Sequence, residues 1–403
     1  MTQLASSSRG ILRYAKETEF GVPPTTGNHK RLPFTGESLT YSIDKTASEE
    51  INPNRGVSDM VPTTASASGG INIEFKADVY DELLEAGLQD TWTVQTETPM
   101  AITVSATQIT TTDAFPVANL VPGQFFGLKC ESTAANYRKL FRIKNDPLAI
   151  SAGTIQLDAS TPGEAETLAD SYIIGRRLRN GTTQRSFTVE KEFSDVGIFR
   201  AYTGMNVSSL SINAAQGALT NGEFQFMGRG AVKGAVTALP GTEQLPADRR
   251  TMTGMTGTVC AVWVGGAPLA GTFLSSLGLS YDNNLRQQNA MCSGDANGIA
   301  GAIGVGNGNI ACTMNAELYF STEDVLYDEF VQNRNTEVVM TAFDSEGNGY
   351  VMTYPRANVS THEVTLQGNN QDVMATVELT ALQTVSEDAK INGGVLFMDK
   401  ISF

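Results

Sequence analysis

The chain is poor in cysteine, histidine and positive charge. Its 403 residues include four cysteines and two histidines, and 28 Lys and Arg stand against 43 Asp and Glu, for a formal net charge of −15. The cysteines lie far apart and form no CxxC pair, which argues against a zinc site or a disulfide-stapled secreted fold and predicts buried free thiols. A surface this acidic repels phosphate, so nucleic acid is not expected to be held.

Long hydrophobic runs are also missing. The longest, near residues 259–269, is far shorter than a membrane span, and the first nine residues lack the basic start and apolar stretch of a signal peptide. We therefore expect a soluble protein made in a reducing cytoplasm, with no membrane insertion. Charged residues make up 18% of the chain, against roughly 25% in typical soluble domains, and the 39 glycines favour β structure with long polar loops.

The motifs of common enzyme and ligand sites are absent from the sequence. The glycines at 304, 306 and 308 are followed by no Lys-Ser/Thr pair, so they do not predict a phosphate-binding loop. The acidic turn at Asp344 resembles a calcium loop, but Pro355 stands where the closing glutamate belongs. His29 and His362 form neither HExxH nor a triad. We expect no catalysis, cofactor or metal, although a glycan-cleaving carboxylate pair assembled in the fold stays open.

Two parts of the chain repeat each other. Residues 39–44 (LTYSID) correspond to residues 279–284 (LSYDNN), and each opens a polar stretch of about 26 residues, 44–69 and 282–308. Connections of that length are uncommon and usually indicate function or disorder. We interpret both stretches as long loops.

Each predicted loop leads into an alternating strand and then a short helix. Apolar and polar residues alternate over 71–77 and 310–318, which is typical of a half-buried strand. The helices carry acidic residues in their first turn, where the helix dipole favours them. They are predicted over residues 79–84 and 326–331, with Tyr80 and Tyr327 in equivalent places.

The repeat resumes near the end of each copy, after a large insertion in the first. Residues 206–209 match 358–361, and both lead to a last strand, at 223–227 and 375–379. The first copy carries about ninety additional residues, with five short β-rich runs separated by turns. The predicted divisions are an N-terminal arm and first strand (1–38), a first β-sandwich (39–90 with 181–230), an inserted small β-barrel or sandwich (91–180), a linker (231–257), a second sandwich (258–385) and a C-terminal extension (386–403).

The sequence resembles the major tail tube proteins of long, flexible-tailed phages. The resemblance rests on residues 17–23 (ETEFGVP), 34–39 (FTGESL), 49–55 (EEINPNR) and 69–75 (GGINIEF), together with their order and the duplication. It implies a mainly β protein with two tandem tail-tube β-sandwich domains, each with a short helix, contributing to a ring-wide β-barrel, plus the inserted small β-domain. Six such domains usually form a ring, so three chains would be expected.

The resemblance also implies partners and a location. The chain would assemble with itself, enclose the tape measure protein during assembly, meet tail terminator and distal tail proteins at the tube ends, and let DNA pass without specific binding. It would reside in the virion tail after synthesis in the host cytoplasm. A distal tail or baseplate ring protein with the same fold is the main alternative, and an extracellular adhesin is another.

Two sets of residues are candidates for function. Polar residues that alternate with buried strand positions are predicted to face the lumen; four of the eight are acidic and none is basic. They are Asn72, Glu74, Glu223, Gln225, Asn315, Glu317, Thr376 and Glu378. Charged residues in the two long loops are predicted to contact the adjacent ring, with plain solvation as the alternative. They are Glu49, Glu50, Arg55, Asp59, Arg286 and Asp295. The insertion is expected on the outer surface and dispensable for polymerisation.

Overall fold

The computed structural model describes residues 4–94, 98–253, 262–268, 273–321, 325–366 and 368–403. Within these ranges the chain is mainly β, as predicted, and contains no closed barrel. Two α-helices are present, α1 (Asp81–Leu88) and α2 (Val325–Gln332), and two short 3-10 turns cover Ser7–Arg9 and Val117–Asn119. The strands are β1 (Gly10–Lys16), β2 (His29–Leu32), β3 (Gly36–Glu37), β4 (Thr40–Ala47), β5 (Met60–Glu74), β6 (Met100–Val104), β7 (Gln108–Thr111), β8 (Phe125–Lys129), β9 (Leu140–Arg142), β10 (Thr154–Gln156), β11 (Glu166–Ile174), β12 (Arg176–Arg179), β13 (Ser186–Phe193), β14 (Ile198–Ala215), β15 (Asn221–Gly228), β16 (Gly230–Gly234), β17 (Glu243–Gln244), β18 (Val262–Val264), β19 (Ala267–Pro268), β20 (Leu274–Asp282), β21 (Arg286–Gly294), β22 (Ala300–Gly306), β23 (Ala311–Tyr319), β24 (Asn335–Phe343), β25 (Gly349–Thr365), β26 (Met374–Ala381) and β27 (Phe397–Ile401).

Eight strands form one continuous sheet that runs through both copies of the repeat. Their order is β4, β5, β15, β14, β20, β23, β26 and β25, and the two copies join where β14 pairs antiparallel with β20, from Ser209 opposite Asp282 to Ala215 opposite Ser276. One face of this sheet is buried by Ile71, Phe224 and Val377, which are almost fully inaccessible. The other face is polar, as alternation requires.

We call the parts on either side of this junction the first unit (β1–β5, α1 and β13–β16) and the second unit (β18–β26 and α2). In both units the long strand, β14 or β25, has a bulge against its neighbour, between Val207 and Ser209 and between Val359 and Thr361. The N-terminal part of each long strand, before the bulge, pairs instead with β13 or β24, in a group of strands that we call the backing sheet of the unit. A bulge bends a strand and so lets it pair with different neighbours along its length.

The expectation of two long loops is wrong. Residues 40–47 pair with 60–68, and residues 286–294 pair with 300–306, so both stretches are β-hairpins and only 48–59 in the first lie outside strands. These ribbons are rich in Ser, Thr, Ala and Gly, and few of their side chains are buried. Without a buried face there is no hydrophobic alternation to mark a strand.

The expected equivalence of Tyr80 and Tyr327 is also wrong. Tyr80 precedes α1, is buried, and donates to the backbone oxygens of Pro33 and Glu74. Tyr327 is the third residue of α2 and is half exposed, with its ring edge-on to His362. The matching YDE letters therefore fall at different points of the two described helices.

Adjacent glycines in the 69–75 segment fit a crowded part of the first unit. Gly69 has φ +139°, and a Cβ there would lie 2.4 Å from the backbone oxygen of Ser38. A Cβ on Gly70 would lie 2.3 Å from the carboxylate of Glu223. The pair therefore lets β5 pass closely beside the chain at Ser38 on one face and beside β15 on the other.

The insertion forms a six-stranded sheet in the order β10, β7, β6, β11, β8 and β9, with its own hydrophobic cluster that includes Ile102, Phe126 and Phe141. A further cluster attaches it to the backing sheet of the second unit, where Phe125 meets Trp263 at 5.8 Å between ring centroids and Ile174 lies with Val339. The insertion therefore has its own hydrophobic core and also covers part of the backing sheet of the second unit.

The strand β27 ties these parts together. It lies between β25 and β12, so the end of the chain completes the backing sheet of the second unit. Asp399 of β27 accepts two hydrogen bonds from Arg177 of β12, each 2.7 Å, and one of 2.9 Å from the backbone nitrogen of Phe125. Lys400 forms ion pairs with Asp78 and Asp81 of the first unit. The segment predicted as an extension therefore contains a strand with buried charges.

Deletion of residues 91–180 should leave an insoluble or poorly folded chain. It removes Arg177, leaving Asp399 buried without its counter-ion, and it uncovers Trp263, Val339 and Val351. Solubility and circular dichroism of the purified deletion chain would test this, with the unaltered chain as the reference. A soluble, cooperatively folding 91–180 deletion would show that these contacts are not required.

Candidate assembly edges and polar face

The eight residues predicted from strand alternation all lie on the polar face of the continuous sheet. Asn72, Asn315 and Thr376 are exposed, and the other five are partly exposed. Glu223 accepts a hydrogen bond of 2.8 Å from the Gln225 side chain, and Glu317 accepts one of 3.4 Å from Ser276 Oγ. The structure thus places these residues on one surface, to which β5 and β15 of the first unit and β23 and β26 of the second contribute.

The strand register arranges this face in rows that cross both units. One row holds Asn72, Glu223, Ser211, Ser280, Thr313 and Thr380; the next holds Glu74, Asn221, Asn213, Gly278, Asn315, Glu378 and Thr361; the third holds Ala215, Ser276, Glu317, Thr376 and Glu363. These rows contain five glutamates and neither Lys nor Arg. The face is therefore acidic and otherwise built from small polar residues.

Sequence reasoning missed several members of this face. Glu363, Ser211 and Ser280 lie in the rows, and all three sit on strands at the margin of their own unit. The alternation of polar and apolar residues in β14 and β20 could have identified Ser211 and Ser280 as members of this face. What the sequence did not reveal is that these strands pair with each other, since the junction joins segments about seventy residues apart.

The continuous sheet has an open edge at each end. In the described part of the chain, β4 pairs with β5 alone, and residues 361–365 of β25 pair with β26 alone. Unpaired strand edges carry free backbone donors and acceptors and are ready templates for another strand. The internal junction is an example of such pairing, because β14 pairs there with β20. Strand β25 is the equivalent of β14 in the second unit, and β4 is the equivalent of β20 in the first.

The hairpin of the second unit, β21 with β22, folds over the first unit. Asp295 at its turn accepts a hydrogen bond from the hydroxyl of Tyr41, Arg229 donates to Gly294 O at 2.7 Å, and Asn297 donates to Ala231 O at 2.9 Å. Burial raises the pKa of Asp295, but hydrogen bonds from Tyr41 and the backbone at Ile299 and Asn297 outweigh it, so the pKa lies below its ordinary value. This hairpin is held by contacts within the chain.

The base of the first unit's hairpin, β4 with β5, is held by the second hairpin through Tyr41 and through the pairing of Ala65 with Gly301, but its tip is exposed. Its tip, residues 48–59, carries Glu49, Glu50, Arg55 and Asp59, all exposed. Within the described part of the chain these four form no ion pair, and the tip is closed by backbone bonds such as Ser48 N to Asp59 O at 2.9 Å. Of the other two residues predicted for ring contacts, Arg286 donates to Asn307 O at 3.4 Å within its own hairpin, and Asp295 lies against the first unit.

The cysteines and acidic clusters of the described residues form no recognisable metal site. No group of three or more metal-ligating side chains occurs there, and Cys312 is a buried free thiol whose pKa burial raises to about 12. Cys130 is a partly buried free thiol, while Cys260 lies outside the described residues. Asp344 accepts from the backbone nitrogens of Glu346 and Asn348, which makes the acidic segment a plain turn between β24 and β25.

Comparison with known proteins gives a family match. No described helix combines the length and apolar character needed to cross a membrane. A comparison with curated protein sequences yields no match. The family model described as phage tail tube protein matches residues 7–381, a range that includes both units, the insertion and the junction between them. The chain therefore belongs to the phage tail tube protein family.

Proposed function

We propose that this protein is the subunit of the tail tube, forming rings of three chains that stack into the conduit through which DNA is ejected. Family membership makes it a structural component of the virion tail that assembles with itself. The observation that supports the ring is the junction between β14 and β20. The equivalent edges, those of β25 and β4, are left open at the two ends of the continuous sheet in the described chain. An interface that joins unlike edges closes into a ring when the rotation allows.

We infer the register of the contact between subunits from the internal junction. Ser211 lies opposite Ser280 within the chain. The bulges make Ser211 equivalent to Glu363, and Tyr41 is equivalent to Tyr281 because each lies opposite the corresponding residue of its neighbour, Ala67 or Cys312. We therefore place Glu363 of one subunit opposite Thr40 of the next.

Cysteines at these two positions should cross-link neighbouring subunits. Residues directly opposite on antiparallel strands have Cβ atoms about 4.5–5.5 Å apart, which suits a disulfide. Oxidised tubes of the Glu363→Cys/Thr40→Cys variant should run on a denaturing gel as a ladder ending in a closed trimer. The matched control is Glu363→Cys/Asp44→Cys, four residues out of register, and each single substitution controls for the native cysteines. Equal cross-linking in the control would contradict the register, and a ladder ending at six chains would contradict the trimer.

In such a ring the polar face would line the lumen and the hairpins would lie between rings. The rows of the polar face contain no basic residue, so DNA would meet a wall that repels phosphate. We assign the exposed tip at residues 48–59 to contact with the adjacent ring, together with Arg286 of the other hairpin, and leave out Asp295, which is buried against the first unit. The tape measure protein would occupy the lumen before DNA, and terminator and distal tail proteins would cap the open ends.

A distal tail ring protein of the same fold is the second candidate, since a family match does not fix copy number. Counting this chain per virion by quantitative mass spectrometry separates the two. We expect many rings per particle, and a single ring would favour the distal position.

A further inference from the structure

The two helices differ in how much apolar surface they expose. In α1 the side chains of Leu83, Leu84 and Leu88 are fully buried. In α2, Tyr327 is 50% exposed, Phe330 37% and Val331 61%. An exposed apolar patch on a helix of this kind marks an interaction site when it is contiguous. Val331 and Tyr327 are four residues apart and therefore lie on the same side of the helix.

Part of the cover over α1 comes from the second unit. Asn283, directly after β20, donates a hydrogen bond of 2.7 Å to the backbone oxygen of Gly87 in the last turn of α1. Tyr281 of β20 is fully buried and lies opposite Leu210 of β14. Tyr350 of β25 donates to Asp81 in the first turn at 2.9 Å. Strand β20, with Asn283 directly after it, therefore pairs with β14 and also contacts the last turn of α1.

In the described chain no further strand pairs with the outer edge of β25 beside α2. His362 lies on β25 below the helix, with its ring 5.3 Å from Tyr327 and 6.4 Å from Phe330 between centroids. By the bulge equivalence His362 corresponds to Leu210, so the residue opposite it in the next subunit is Tyr41. Two positions further along β4 lies Ile43, the counterpart of Asn283.

We propose that the α2 patch, defined as Tyr327, Phe330 and Val331, is covered by Tyr41 and Ile43 of a second copy of this chain. The proposal rests on the proposed function, since it uses the same pairing of β25 with β4. Tyr41 and Ile43 are partly exposed in the single chain and lie on the side of β4 that faces the core. The Tyr41 hydroxyl already donates to Asp295 of its own chain, so the contact with the patch would be made by the Tyr41 ring and by Ile43. Aromatic and aliphatic side chains of both subunits would then form a small apolar cluster over the strand contact.

Charge substitutions on the two sides of this contact test the proposal. Val331→Asp and Ile43→Asp should each raise the protein concentration needed for tube assembly by about tenfold or more, because a carboxylate would be buried among apolar groups. Leu148→Asp is the matched control; Leu148 is 83% exposed and lies in the insertion. Assembly is followed by light scattering and negative-stain microscopy, and circular dichroism checks the fold of each monomer.

The double variant Val331→Asp/Ile43→Lys should recover assembly to within a few-fold of wild type, whereas Val331→Asp/Leu148→Lys should not. Val331→Asp tubes that form as readily as Leu148→Asp tubes would overturn the proposal, as would failure of the double variant to recover. These outcomes are separate from the ring itself: if the Glu363 and Thr40 cysteines still cross-link, the strand contact stands and only the helix contact is wrong. Absence of any ring from wild-type protein would instead remove the proposed function.

Discussion

Replacing Asp399 with Ala should destabilise the monomer by about 3–5 kcal/mol. The carboxylate is fully buried, and Arg177, which donates to it twice, is 4% exposed at its side chain. Without Asp399 the guanidinium keeps the backbone oxygens of Pro122 and Gly123 and the ring of Phe397, so a charge is left in the interior without its counter-ion. Because β27 also carries Lys400, the loss should loosen the attachment of both the insertion and the first unit.

Urea denaturation of dilute, unassembled protein would measure this effect, since assembly itself stabilises the folded state. The matched control is Arg250→Ala, which removes an exposed ion pair with Glu346 and should cost less than about 1 kcal/mol. The double replacement Arg177→Met/Asp399→Leu should be less harmful than either single change, because no buried charge remains. An Asp399→Ala midpoint equal to that of Arg250→Ala would show that the ion pair contributes little.

Lysines at Glu317 and Glu378 should leave tubes intact but stall DNA ejection at low salt. Both glutamates lie on the polar face, in adjacent rows of the register, and neither is buried. A ring of three such chains would offer six new cations to the phosphates. Six to ten phosphate contacts change affinity by about 10³–10⁵-fold between 50 and 200 mM salt, so the hold on DNA should relax as salt rises.

Phage carrying the Glu317→Lys/Glu378→Lys subunit would be triggered in vitro, and ejection would be followed by DNA fluorescence at 50 and 200 mM salt. The control with the same change in net charge is Glu131→Lys/Glu387→Lys, at exposed positions in the insertion and in the C-terminal segment. Normal ejection at both salt concentrations would mean that this face does not line the bore or that its charge does not govern passage. Slow ejection in the control would point to total charge instead.

Much of the fold class was available from the sequence. Alternation over Ile71, Ile73 and Phe75 predicted a half-buried strand, and each of these side chains is buried. The same pattern predicted which residues share the opposite face, since side chains of a strand must alternate between faces. Whether that face lines a lumen stays a prediction, as it depends on contacts between chains.

Patterns failed where a segment lacks a buried face or where its partner lies far along the chain. The hairpins at 40–68 and 286–306 were expected to be loops because two-stranded ribbons bury few side chains and show no hydrophobic period. In β27, Asp399 and Lys400 conceal a strand, since buried charges are read as surface positions unless their partners, Arg177, Asp78 and Asp81, are known.

The sequence by itself determined that this is an acidic, mainly β protein, because composition and period depend on local residue order alone. Only the tertiary structure decided that β14 pairs with β20, that β27 closes the second unit and that one helix is covered while the other is exposed. Each of these depends on backbone hydrogen bonds or buried contacts between distant segments. Backbone groups are nearly identical in every residue, so which edge meets which is settled by the packing of the whole chain.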